Sequence, residues 1–398
     1  PFVKYTSDHY FVLHDEMNRM VQKYIWDTVE DPLKIRRREL SQRICEHYQK
    51  ELARREALTE HSEQEIISIW SYRVELAYYK LYADFETGYH YFEQLFEKLD
   101  QDRRPGLAAM LVNFVREFQG QPQFSDLLKC FVEGYYSGGV LILEKKFAEA
   151  EKILSQGEQK FQVILSKMDW ETARSLEHYL RRRQYLLYNQ LGFCYRSLGD
   201  WENAKANYQK SLDFAMGLLE KDNLQSAQNG NNGSPLLEQI GGTLNNLANV
   251  HRLAGEFYDA HIVCQTSTYL RLAQKQDAVM SLYVMTMILW EMGATAEAVT
   301  SLRKAEQNCP DENRRAVLKK YRAYLFFRTG QYEQAQTILD EAEAVFLRTD
   351  NLAELVDVYN YRCRLYREEH AQHTVTDGDC DCLEKARKFS EQACQISK

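Results

Sequence analysis

Apolar residues along this chain return at intervals of three and four, the spacing that gathers them on one face of an α-helix. The sharpest stretch is residues 189–212, NQLGFCYRSLGDWENAKANYQKSL. Leu191 and Tyr195 share one helical face there, Ala204 and Tyr208 share another, and Gly199-Asp200 predicts a turn between two helices. Gly192 and Ala204 are small, so the two helices can pack closely.

The same offsets return at Leu247, Ala248, His251, Gly255, Phe257, Ala260 and Ser267, a shift of 56 residues, or 34 plus an insertion of 22. The insertion contains the polar stretch 222–235, DNLQSAQNGNNGSP, whose composition predicts a flexible surface loop. Further copies pivot on Gly293, Ala298 and Ala305, ending at Pro310, and on Gly330, Tyr332, Ala335 and Ala342. Looser ones surround Phe147, Ala150, Leu154 and Gly157, then Phe85, Gly88 and Phe92, while Ala386 and Ala393 close the series. The pattern resembles the tetratricopeptide repeat, a helix-turn-helix unit. Over residues 56–398, in about seven repeats, the resemblance implies an all-α, right-handed superhelix with a concave groove, each unit burying its apolar face on its neighbours.

Composition agrees with helices. Six prolines and 18 glycines in 398 residues leave few backbone breakers, and a hydrophobic content of 44% supplies a core. The net charge of −8 excludes an overall positive field drawing the chain to nucleic acid or anionic membrane. No apolar run approaches the roughly 20 residues that span a bilayer. Nine scattered cysteines predict reduced thiols and a cytoplasmic protein, with no membrane and no direct nucleic-acid partner. A start at Pro1 predicts a fragment or processed product.

Ahead of the repeats, residues 2–5 and 10–13 are β-prone runs joined by Thr6-Ser7-Asp8-His9, which predicts a hairpin. Met17, Met20, Val21, Tyr24 and Ile25 mark an amphipathic helix, and Asp31-Pro32 starts another through Ile35, Leu40, Ile44 and Tyr48. A strand pair ending in Leu13-His14-Asp15 and entering a helix is similar to the end of the winged-helix domain in STAND-class (NB-ARC-like) signal-transduction ATPases. In that family a Met-His-Asp motif holds this place; Leu13 departs from it. The resemblance implies that residues 1–30 end a winged helix, that 31–55 form a helical adaptor, and that His14 senses nucleotide in the full-length protein. The simpler reading is a helix start with Asp15 at its positive end. With no G-x-x-x-x-G-K-[ST] loop, the chain is expected to be no enzyme and to hold no cofactor, ADP or ATP belonging to a missing upstream module.

The first helices of two repeats set Asn and Arg seven residues apart, on one face: Asn189 with Arg196, and Asn245 with Arg252. Aligning the last loose copy gives Asn360 with Arg367, and Lys320 falls between. Phe193, Asn249 and Tyr324 lie beside them. Asn can pair with both groups of a peptide backbone and Arg can fork onto a carboxylate, so this set predicts a groove for a peptide or protein effector. A merely solvated face is the alternative, but it does not require a repeated offset. His370, His373, Cys380 and Cys382 have no zinc-like spacing, Asp377, Asp379 and Asp381 lack the glycine and closing glutamate of a calcium loop, and no metal is expected. The arginine runs 36–38, 181–183 and 314–315 read as surface ion-pair partners.

The expected function is therefore the sensor of a STAND-type regulator. Its effector would relieve contacts with the upstream nucleotide-binding module, in cis, with homo-oligomerisation on activation and output in transcription control or defence. A constitutive scaffold and a peptide receptor of the repeat type are the alternatives.

Overall fold

The structure is a computed structural model that describes residues 3–5, 11–13, 35–57, 63–120, 124–229, 235–274, 276–349, 351–373 and 381–396. Its secondary structure there is helical apart from β1 (Val3–Tyr5), which pairs antiparallel with β2 (Phe11–Leu13), Val3 opposite Leu13. The residues joining the strands, His14, Asp15, the helix expected over 17–25 and Asp31-Pro32 lie outside the described residues.

The chain forms two compact units, Pro1–Leu176 and Glu177–Lys398. The first unit therefore takes in both the adaptor expected over 31–55 and the first of the expected repeats. Within it α1 (Ile35–Glu56) lies on α2 (Glu63–Ala83), and α2 packs on both α3 (Phe85–Gln101) and α4 (Pro105–Arg116), so these helices share a core. Arg37 of α1 is buried over the Tyr82 ring, 3.5 Å from its centroid, so one member of the first arginine run is a packing residue. Asp84 caps α3 by accepting a hydrogen bond from the Thr87 backbone N–H at 2.8 Å.

Unit 1 continues with α5 (Asp126–Phe131), a π turn (Val132–Tyr136), α6 (Ser137–Leu143), α7 (Phe147–Lys167) and α8 (Trp170–Ser175). Ala150, Leu154 and Phe161 of α7 are fully buried. Gly134 and Gly157 meet backbone to backbone, so closely that a Cβ on either would lie 2.8 Å from the other's Cα.

Unit 2 is a series of helical hairpins: α9 (Glu177–Leu198) with α10 (Trp201–Asn229), α11 (Pro235–Leu253) with α12 (Phe257–Ala273), and α13 (Val279–Glu291) with α14 (Thr295–Asn308). Two more follow, α15 (Glu312–Arg328) with α16 (Tyr332–Arg348) and α17 (Leu352–His373) with α18 (Cys382–Ile396). Each helix packs on the next, and first helices also touch, α9 on α11, α11 on α13 and α15 on α17.

Glycine makes the turns. Gly199, Gly255, Gly293 and Gly330 have φ of 82°, 80°, 80° and 75°, the left-handed region where an L side chain is strained. The N–H after each glycine reaches back to a carbonyl in the last helical turn, Asp200 to Tyr195 at 2.9 Å and Glu256 to His251 at 2.8 Å among them, closing the helix end. Lys145 makes the same turn between α6 and α7 at φ 61°. Five residues past each turn glycine stands a fully buried alanine, Ala204, Ala260, Ala298 or Ala335. In the first hairpin Gly192 takes the Tyr208 ring against its backbone: a Cβ there would lie 2.8 Å from the ring.

The expected loop over 222–235 is a correction. Helix α10 runs on to Asn229, so most of that stretch is helical; its Leu, Gln and Ala residues are better helix formers than its overall polarity implied. Residues 230–234 lie outside the described ones.

Candidate functional site: the first-helix face of unit 2

The turn glycines give the hairpins a common register. Ten residues before them stand Asn189, Asn245, Tyr283 and Lys320; six before, Phe193, Asn249, Met287 and Tyr324; three before, Arg196, Arg252, Trp290 and Phe327. The asparagine and arginine repetition thus spans two hairpins and then gives way to aromatic and basic residues.

Several of these side chains reach toward the next first helix. Asn189 Nδ2 donates to Thr243 Oγ1 at 2.8 Å. Arg196 Nη1 donates to Asn246 Oδ1 at 3.2 Å, and its guanidinium lies 4.6 Å from the Phe193 ring centroid. Arg252 bridges inward and onward, from Nε to Asn249 Oδ1 at 3.0 Å and from Nη1 to Glu291 Oε1 at 2.5 Å. Lys320, 1% exposed, donates to Glu354 Oε2 at 2.5 Å and Asp357 Oδ2 at 2.8 Å. Tyr324 stacks on Tyr361 with centroids 5.4 Å apart. Several residues expected to face a ligand therefore tie successive hairpins together.

Asn245 differs. Its side-chain oxygen is buried and has no hydrogen-bond donor. Thr243, the partner of Asn189, stands twelve residues before Gly255; Ser281 stands twelve before Gly293. The Ser281 hydroxyl is instead 2.9 Å from Ser267 Oγ, buried between α12 and α13. Asn245 shares its face of α11 with Asn249 and Arg252, and the next residue, Asn246, takes Arg196.

Asn360 and Arg367 fall off this row, which corrects their alignment. Both are exposed, and α17 instead turns Glu354, Asp357 and Tyr361 toward α15. Lys320 to Asp357 and Tyr324 to Tyr361 are both steps of 37, the same step that separates Gly293 from Gly330. That shared step was the signal for the missed residues. Thr243, Asn246 and Glu291, which hold Asn189, Arg196 and Arg252, had no comparable signature.

Burial opposes charge on Lys320, but its hydrogen bonds to Asp357 and Glu354 outweigh that cost and hold its pKa above the ordinary value. At the α11–α12 turn, Glu256 takes Lys205 Nζ at 2.7 Å and His251 Nδ1 at 2.6 Å, and these contacts, Lys205 first, hold its carboxyl below the usual range. His251, Glu256 and Asp259 are close enough to share a cation, but the Lys205 ammonium already lies on Glu256.

His14 lies outside the described residues, as do Cys380 and the His373 side chain. Cys382 is disulfide-bonded, a departure from the expected reduced state that also removes it as a thiolate ligand. Cys45, Cys130, Cys194, Cys264, Cys309, Cys363 and Cys394 are free. Arg183, in the second arginine run, is buried, its guanidinium 4.7 Å from the Tyr179 ring centroid.

No helix among the described residues is long and apolar enough to cross a membrane. No curated protein sequence matches the chain. Among solved structures it is similar to BtubC of P. vanneervenii, at 16% identity and a TM-score of 0.44, over 57% of this chain and 86% of that one. It is also similar to a Rap protein complexed with competence and sporulation factor, at 13% identity and a TM-score of 0.48, over 90% and 98%. A third is a STAND protein with a tetratricopeptide repeat sensor from Pyrococcus horikoshii, at 11% identity and a TM-score of 0.44, over 99% of this chain and 57% of that one. The tetratricopeptide-repeat family model matches residues 185–215, spanning the end of α9 and the first half of α10. The chain therefore carries a tetratricopeptide repeat at its Gly192–Tyr208 hairpin.

Proposed function

We propose that unit 2 is a protein-interaction module that binds an extended peptide segment along the face formed by α9, α11 and α13. The observation that carries this reading is the buried, donorless oxygen of Asn245. A buried acceptor without a donor costs about 1–3 kcal/mol, a cost relieved if the Asn245 side chain turns outward to accept from a backbone N–H of a bound segment. Arg196, on the adjacent Asn246, and Arg252, two turns further along α11, favour a segment bearing carboxylates, which compete with Asn246 and Glu291 for the guanidinium groups. Asn189, Phe193 and Asn249 complete the contact set. Lys320 and Tyr324 act one step removed, by holding α15 against α17.

The test is a displayed heptapeptide library selected on the intact chain. Selected peptides should be enriched in Asp and Glu and should bind Asn245→Ala/Arg252→Ala at least tenfold more weakly, with helicity unchanged. Peptides that bind wild type and variant equally would remove these residues from the site.

A second reading adds a switch: the module would sense an effector for an upstream STAND-type nucleotide-binding module, with His14 reporting ADP or ATP bound there and oligomerisation following release. It is favoured by β2 ending at Leu13, directly before His14-Asp15. Sequencing the native gene upstream of Pro1 tests it, since a phosphate-binding loop there is required. Without one, a constitutive scaffold is the remaining reading.

A further inference from the structure

Helix α13 departs from the other first helices of unit 2. Its sequence, VMSLYVMTMILWE, is apolar all round and carries one charge, Glu291. Leu282, Met285 and Ile288 are buried, whereas Tyr283, Met287 and Trp290 take the places that Asn245, Asn249 and Arg252 hold in α11. A helix apolar on every side belongs in a core, yet these three side chains stay only half-buried. Tyr283 is already engaged, its ring centroid 5.0 Å from that of Tyr321. Trp290 is less so. It packs against the core that holds Leu302 and Leu325, but among the described residues it has no aromatic partner and its indole N–H has no acceptor.

We propose that Trp290, with Met287 beside it, sets the specificity of the groove: it takes a large apolar side chain of the bound segment, and its indole N–H donates to a backbone carbonyl next to that side chain. The proposal rests on the reading of the α9, α11 and α13 face as a peptide groove, and adds a second class of residue to the ligand. Glu291 links the two. It holds the Arg252 guanidinium at 2.5 Å and is the residue next to Trp290, so a ligand carboxylate that displaces it arrives alongside the indole. Burial raises the Tyr283 pKa and the Arg252 charge opposes that rise, so the basic and aromatic residues share one surface. Hydrogen bonding is complementary as well: the Asn245 oxygen accepts and the Trp290 indole donates, the two functions that a backbone presents together.

Spacing fixes where the apolar residue falls. Arg252 and Trp290 occupy the same place on touching first helices, three residues before their turn glycines. Packed helices stand about 8–10 Å apart, and an extended segment advances roughly 3.1–3.4 Å per residue. The apolar residue therefore lies two or three positions from the acidic one that meets Arg252. Glu291 and the negative face of the indole ring both disfavour a second acid there. Met287 is unbranched and flexible, so the place accepts Leu and Phe alike.

Displayed decapeptides selected on the intact chain test this. Wild type should select Asp or Glu with Leu, Phe or Met two or three positions away. Changing that apolar residue of a selected peptide to Ala should weaken binding to wild type at least tenfold. Trp290→Ala should bind the selected peptide at least tenfold more weakly and should no longer distinguish it from its Ala version. Trp290→Phe, which keeps the packing and removes the N–H, should retain the apolar preference and bind about threefold more weakly, the loss of one neutral hydrogen bond. Helical circular dichroism should be retained in each variant. Acidic peptides with no apolar preference at that offset, or an apolar residue whose removal costs Trp290→Ala as much as wild type, overturn the proposal; the groove reading then stands if Asn245→Ala/Arg252→Ala still weakens binding. Peptides indifferent to that double variant and to Trp290→Ala overturn both.

Discussion

The Lys320 ammonium lies 2.5 Å from the Glu354 carboxylate with its own side chain 1% exposed, joining two first helices across 34 residues of sequence. Glu354 and Asp357 keep 27% and 54% exposure, so both acids stay partly solvated while the base is buried. Lys320→Ala should lose about 3 kcal/mol, the low end for breaking a buried ion pair. Lys320→Met, which keeps the volume, should lose about half as much. Urea unfolding followed by circular dichroism measures both, and an unchanged midpoint in Lys320→Ala would refute its role as a tie.

Lys145 occupies a turn that four other hairpins give to glycine. Its left-handed backbone costs an L residue roughly 1–2 kcal/mol, partly offset by the entropy glycine loses on folding. Lys145→Gly should therefore raise stability by about 0.5–1 kcal/mol. Gly255→Ala should lower it by about 1 kcal/mol. Opposite shifts in thermal midpoint are expected.

Gly192 should not accept even a methyl group cheaply. The Cβ of Gly192→Ala would enter the Tyr208 ring, which is fully buried and has nowhere to move. A loss of about 1–3 kcal/mol is expected, as for other overpacked cores. Gly106→Ala, where nothing stands within 4 Å, is the matched control for the same chemical change.

Acid should loosen the α11–α12 turn through Glu256. A carboxyl whose folded pKa is lowered binds fewer protons folded than unfolded, so its contribution is complete above the ordinary range near 4.5 and fades as pH falls through the folded value. Thermal midpoints taken down to about pH 3 should fall less steeply in Glu256→Gln than in wild type. Equal slopes would show that the Lys205 and His251 contacts contribute nothing.

Thiol reactivity should follow burial. Cys264 is fully buried and burial pushes its thiol up to about 12; Cys130 and Cys45 rise to about 11 for the same cause. Ellman's reagent on the native chain should label exposed Cys394 rapidly and half-buried Cys363 more slowly. The five buried thiols should react only in denaturant, and rapid native labelling of Cys264 would contradict the packing of α12 on α13.

Much of unit 2 was legible because its signals are local. A left-handed turn demands glycine whatever surrounds it, so Gly199, Gly255, Gly293 and Gly330 announced four hairpins. The alanine five residues on marked the buried face of each second helix. Where turn and spacing signals thin out the reading drifted: α17 has no turn glycine among its described residues, and Asn360 and Arg367 were aligned three residues out of step with Asp357 and Tyr361. Tyr258 and Tyr269 stand off the repeat's marked positions, and helix α12 turns both outward.

The sequence by itself determined the helices, their turns and their inward faces, because those follow from φ, side-chain size and the 3.6-residue period within a few residues of each position. Only the tertiary structure decided what the polar residues of those faces do. Asn189 finds Thr243 across 54 residues and Lys320 finds Glu354 across 34. One hairpin on, Ser281 stands where Thr243 does but turns to Ser267, and the Asn245 oxygen has no donor. A hydrogen bond depends on the last ångström of approach between helices, and no spacing along the chain carries that distance.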